Sequence, residues 1–144
     1  MNDPEHIDPA ERLFAEGKKF DWKQDKSPAA ATLARANFQQ AAEMGHKAAA
    51  RALAHLVYEG RGGSADKVQG LLLLWSAFRR GDYAALEEFS DLLASFGDET
   101  VSGQDAVRAS QLAQSLESLV GTLGKADHFM HELAAKRVQS SSSQ

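Results

Sequence analysis

At 144 residues with a formal net charge of −4, the chain has the length of one domain and is too acidic to suit nucleic acid or an anionic membrane surface. It contains no cysteine, which excludes disulfides, thiolate metal sites and a cysteine nucleophile, and fits a reducing, cytoplasmic compartment. Alanine is abundant, the prolines are Pro4, Pro9 and Pro28, and no run alternates apolar and polar β-formers, so an all-α chain is expected.

Residues 1–8 read as a flexible lead. They have no basic start leading into an apolar run, so no signal peptide is expected. Pro9 can open a helix that carries Leu13 and Phe14 and reaches about Lys19. A polar loop, FDWKQDKS, follows, in which Phe20 and Trp22 either tuck over a hairpin end or offer an exposed contact. Ser27 and Pro28 form an N-cap and first-turn pair for a helix ending at Gly45. The next helix spans about His46–Glu59 and is broken by Gly60-Arg61-Gly62-Gly63-Ser64. Asp66 caps a helix to Arg80, and Asp82 caps another, ended by Gly97. Further helices are expected from about Gln104 to Val120 and from Lys125 to Val138, before a polar, disordered tail over 139–144. The longest unbroken apolar run, Leu71–Trp75, is far too short to span a bilayer.

Helices of similar length punctuated by glycines at 45, 60, 81, 97 and 121 make the pattern of a helical repeat. Its clearest unit is a hairpin: Leu53 and Leu56, a Gly60-x-Gly62 turn, then Asp66, Gly70, Leu73, Ala77 and Gly81. Asp105, Ala109, Leu112, Leu116 and Gly121 echo the second half of that unit, and Ala41-Ala42-Glu43-Met44-Gly45 echoes its end. The helix around Leu71–Phe78 is apolar nearly all the way round, so Leu73, Leu74, Trp75 and Phe78 are expected in the core beside Leu53 and Leu56.

The stretch AAEMGHKAAARALAHLVYEGRGGSADKVQGLLLLWSAFRRG resembles the Sel-1-like repeat, a relative of the tetratricopeptide repeat. Ala41-Ala42-Glu43-x-Gly45, Gly60-x-Gly62 and Asp66 match the family pattern. Ala54, Val57 and Leu73 stand where the family has Gly, Tyr and Trp. The resemblance covers about residues 28–121. It implies a short α-α superhelix, a solenoid of three helical hairpins plus a C-terminal capping helix over residues 9–138. It also implies an adaptor function with no common catalytic residues.

Arg51, His55 and Tyr58 fall at i, i+4 and i+7, on one helical face. If that face lines the concave side of a solenoid, these three are candidate partner contacts, with Glu87, Glu88 and Asp91 an acidic counterpart on the next first helix. The bland alternative for both groups is a solvated face. The glycine-rich loop lacks the preceding strand and the Gly-Lys-Ser/Thr ending of a phosphate loop, and reads as a turn. His128 and His131 share a helix side with Asp127 and Glu132 nearby, but the spacing is not that of a zinc protease, and no metal or cofactor is expected.

The expected function is therefore a non-catalytic protein-binding module, an adaptor of the kind that includes toxin-immunity and chaperone proteins. Its partner would be another protein, with neither nucleic acid nor membrane. The competing reading is a ligand-binding or enzymatic pocket between hairpins that uses His55.

Overall fold

The computed structural model describes residues 7–20, 27–99, 103–116 and 121–142, with backbone alone for 138–142. Seven helices occupy them: α1 (Pro9–Lys19), α2 (Pro28–Glu43), α3 (Lys47–Glu59), α4 (Lys67–Arg79), α5 (Ala84–Glu99), α6 (Gly103–Ser115) and α7 (Thr122–Ser142). No strand occurs among the described residues. The expected all-helical hairpin architecture is the one observed: α1 packs on α2, α3 on α4 and α5 on α6, with α7 following as a seventh helix. Where the sequence suggests one repeat domain, the chain divides into two compact units, Met1–Asp82 and Tyr83–Gln144.

Side chains just ahead of the first turns fix where helices start. Asp8 Oδ1 accepts from the Ala10 amide at 3.2 Å and Ser27 Oγ from Ala30 at 3.1 Å. His46 Nδ1 accepts from Ala49 at 3.1 Å and Asp66 Oδ1 from Gln69 at 3.0 Å. Each satisfies a first-turn N–H that the helix itself leaves without a partner.

Two helix ends in the first unit are built identically. After α2, the His46 amide donates to the Ala41 carbonyl and Gly45 to Ala42; after α4, Asp82 donates to Ala77 and Gly81 to Phe78. These are paired Schellman caps, and each needs a left-handed residue, supplied by Gly45 at φ 90° and Gly81 at φ 105°. The spacing of 36 residues read from the sequence is thus also a spacing of backbone hydrogen bonds.

The core of the first unit gathers Ala34, Phe38, Ala41, Ala49, Leu53, Leu56 and Val57, with Leu13, Phe14, Phe20 and Leu73 packed against it. Phe20 therefore tucks inward, while Trp22 lies outside the described residues. In α4 the fully buried side chains are Leu71 and Leu74, with Trp75 at 5% exposure. Leu73 and Phe78, expected in the core, are only half-buried. For Leu73 the reason is helical phase: Leu71, Leu74 and Trp75 stand at i, i+3 and i+4, whereas Leu73 is about 200° round from Leu71 and sits at the margin of the buried stripe; Phe78 is in phase with Leu71 but lies in the last turn of the helix. The Gly60–Ser64 loop is the α3–α4 turn. It closes down on α2, where Arg35 donates to the Arg61 and Ser64 carbonyls at 3.4 and 3.3 Å.

The second unit departs further from its expected boundaries. Gly97 does not end α5, which continues to Glu99; a Cβ there would come 2.9 Å from the Ala106 carbonyl oxygen, so the glycine lets α6 approach. The likeness of Asp105 to Asp66 is not structural. Asp66 caps α4, but Asp105 lies inside α6, buried, with its carboxylate on Lys136 at 2.9 and 3.1 Å. Helix α6 spans Gly103–Ser115, and its expected end at Val120 lies outside the described residues. Helix α7 begins at Thr122 and runs through the expected tail boundary to Ser142, because extending an existing helix is far easier than starting one.

The packing orders two substitutions. Leu71→Ala should cost about 2–5 kcal/mol, the range for a fully buried leucine, and Leu73→Ala distinctly less. Chemical denaturation of both variants checks this, and equal losses would place Leu73 in the core after all.

Candidate functional site

Helix α3 is held from three sides. At its start the His46 ring caps the helix through Nδ1, so the proton of the neutral ring sits on Nε2, which lies 2.6 Å from Glu11 Oε2 of α1. Along its length α3 packs on both α2 and α4. Its buried arc is therefore wide and takes in Ala49, Ala50, Leu53, Ala54, Leu56, Val57 and Tyr58.

That arc removes one expected contact residue and reassigns another. Tyr58 is buried at 5% exposure and is not on the outer face. The turn after α3 folds α4 back over it. Gly70 has no side chain to hold the helices apart, so a Cβ there would come 2.8 Å from Tyr58 Cβ, and Lys67 Nζ lies 6.0 Å from the ring centroid. Arg51, two turns earlier on the same side, is half-buried. Its Nε donates to Asp82 Oδ2 at 2.9 Å, and the Asp82 side chain is 7% exposed. Asp82 was expected to cap α5, but that helix begins at Ala84, and this carboxylate oxygen closes the end of the α3–α4 hairpin instead. The i, i+4, i+7 spacing suggests an outward face, but Arg51 and Tyr58 lie on the side that receives α4. His55, the third member, stays half-exposed at the edge, in line with Ala48, Ala52 and the exposed Glu59.

In the second unit Glu87 and Asp91 are exposed and Glu88 is half-buried. Helix α5 carries five carboxylates, Glu87, Glu88, Asp91, Asp98 and Glu99, and no Lys or Arg. Residues 83–144 as a whole hold nine Asp and Glu against four Lys and Arg, while residues 1–82 hold eleven against twelve. The acidic character of the chain therefore belongs to its second unit.

Further along that unit, His128 and His131 are both exposed on α7. His128 Nε2 lies 2.9 Å from Glu132 Oε1, and Arg108 of α6 pairs with the other oxygen of Glu132. The Arg108 guanidinium, with help from His128, holds the Glu132 carboxyl below the usual carboxylate range against the opposing effect of partial burial. Among the described residues no group of three His, Cys, Asp or Glu side chains converges as metal ligands would. Among the described residues, no helix is long and apolar enough to cross a membrane.

A cavity of about 150 Å³ lies at the N-terminal end of α3, lined by His46, Lys47, Ala50, Ala77, Arg80 and Asp82 among others. His55 is about two and a half turns further along the helix. The sequence reasoning did not mark His46 or Glu11. The usable signal was position: His46 follows the helix-ending Gly45, where a side-chain acceptor is wanted.

The chain matches no family model, no curated protein and no solved structure.

Two substitutions in α3 follow from this geometry. Tyr58→Ala should destabilise by about 2–5 kcal/mol as a core deletion. Arg51→Ala should cost about 1–3 kcal/mol, because it leaves the buried Asp82 carboxylate without its cation. Melts that stay within about 0.5 kcal/mol of wild type would return both residues to the surface.

Glu132 makes a prediction about pH. Its pKa is lowered by folding, so its contribution to stability is complete above the ordinary carboxyl range near ~4.3 and is lost as pH falls through the folded-state value. The stability gap between wild type and Glu132→Gln should be widest at neutral pH and close on acidification. Melts recorded between about pH 7 and pH 3 test this, and a gap constant with pH would refute the assignment.

Proposed function

We propose that the protein is a non-catalytic binding module of Sel-1-like, tetratricopeptide-type helical repeats, which takes another protein as its partner on the outer faces of its first helices. The observation that carries the reading is one of equivalent positions. His55 on α3 and Asp91 on α5 are 36 residues apart, the same offset that relates the two Schellman turns, and both remain accessible. Repeat proteins use this arrangement to present the same face again and again while each unit packs only on its neighbours. An adaptor role, the toxin-immunity and chaperone types included, and a cytoplasmic setting suit a cysteine-free chain of this size.

The contact residues are narrower than the sequence implies. Arg51 and Tyr58 are taken up by packing, which leaves His55 with Ala48, Ala52 and Glu59 in the first unit, and Glu87 and Asp91 in the second. The acidic α5 face selects a partner with a basic contact surface, and its effect falls mainly on the rate of association.

Affinity capture followed by identification and titration of the captured protein tests the reading. A Glu87→Lys/Asp91→Lys double variant should leave the melt within about 0.5 kcal/mol, as for surface sites, and weaken partner binding about fivefold or more. Affinity unchanged in that variant and in His55→Ala would remove the first-helix faces from the interface.

A further inference from the structure

Between α6 and α7 the second unit holds an open groove of about 500 Å³, within the usual range for ligand clefts. Its floor is apolar, formed by Leu112 and Phe129, which are 7% and 1% exposed. Arg108, Lys125 and His128 stand around it, with Gly121 and Gly124 leaving it open. No carboxylate occurs among its described lining residues, in a unit where Asp and Glu outnumber Lys and Arg by nine to four. Two of those four cations border this one groove.

The cations are not equivalent. Arg108 lies 5.2 Å from the centroid of the Phe129 ring and is paired on its other side with Glu132, so its guanidinium is fixed in place over the floor. Lys125 is exposed and has no ion-pair partner among the described residues. A ligand that brings its own carboxylate would gain a partner for Lys125 without having to break the Arg108–Glu132 pair.

We propose that this groove binds a short acidic peptide segment, with one small apolar side chain against the groove and a flanking carboxylate toward Lys125, while Arg108 and His128 keep their pairing with Glu132. The concave shape seats the segment, and the exposed Lys125 ammonium supplies its charge-assisted contact and its orientation. A long polyanion such as nucleic acid is disfavoured, because its phosphates would run beyond the groove onto a unit with a large excess of carboxylates. A short segment experiences the local edge, since charges more than about 8 Å away are largely screened at physiological salt. This site uses none of the residues of the first-helix faces, so either reading can fail without the other.

The test is an NMR titration of the full chain with the peptide Ac-DELFDE-NH2, with Ac-NQLFNQ-NH2 and Ac-KKLFKK-NH2 as neutral and basic controls. The acidic peptide should bind with a Kd below about 1 mM and perturb the amides of Gln111, Lys125, His128 and Phe129. It should bind about fivefold or more tightly than the neutral peptide, a margin that shrinks in ~0.5 M salt. Lys125→Glu should weaken the acidic peptide about fivefold. Gly124→Leu should abolish binding with an unchanged or raised melting temperature, because a side chain there projects into open space and leucine favours the helix over glycine. The proposal is overturned if the acidic peptide does not bind, if either control binds as tightly, if the perturbed amides lie elsewhere, or if binding survives in both variants.

Discussion

The carbonyls of Ala41 and Ala77 each accept a hydrogen bond from the amide five residues on, across a glycine that turns the chain to the left. The first unit depends on this bond. A helix end leaves carbonyls without partners, and the Schellman cap satisfies two of them while redirecting the chain within two residues. The helix that follows can then lie against the one that has just ended. Because both turns use the same bonds, the residues after them, His46 and Asp82, arrive in equivalent places.

What those two residues do next ties the first helix of each hairpin to the turn that closes it. His46 caps α3 and reaches back to Glu11 on α1; Asp82 receives Arg51 from α3. In each case a charged side chain on a hairpin's first helix is drawn to the turn that closes its hairpin. The His46–Glu11 contact is exposed on the Glu11 side and adds little by itself. The Arg51–Asp82 contact is far more demanding, since a carboxylate removed from water needs its cation. A repeat surface can offer a partner only the side chains that such internal ties leave over, so α3 presents a narrower face than its polar residues suggest.

Charge and shape are divided unevenly between the units. The first is near neutral, while the second concentrates carboxylates along α5 and places Arg108 and Lys125 beside the α6–α7 groove. Surfaces of this kind steer and orient macromolecular partners. Three carboxylates, Glu132, Asp105 and Asp82, are paired with Arg108, Lys136 and Arg51.

Sequence alone determined the helices, their order and most of their limits. Glycine past a helix end, Ser or Asp before a first turn and proline within it act through bonds only a few residues long, so they can be read locally. It also marked the turn at Gly60–Ser64 and the 36-residue spacing. The sequence also placed Leu53, Leu56, Leu74 and Trp75 on inward sides; the tertiary structure alone decided how wide the buried arc of α3 is and what the glycines and carboxylates of the second unit do. Arg51 and Tyr58 look like an outer pair on a helix with one buried face, but α3 is covered by two neighbours, and Gly70 brings α4 onto Tyr58. Asp105 looks like a cap by analogy with Asp66 and is instead buried beneath Lys136, a residue 31 positions away. Gly97 reads as a helix end and serves as a point of close approach to α6. A glycine can end a helix or admit a neighbour, and a carboxylate can cap a helix or anchor a cation. The choice rests with whichever distant segment packs there, and one helix's own spacing carries no record of it.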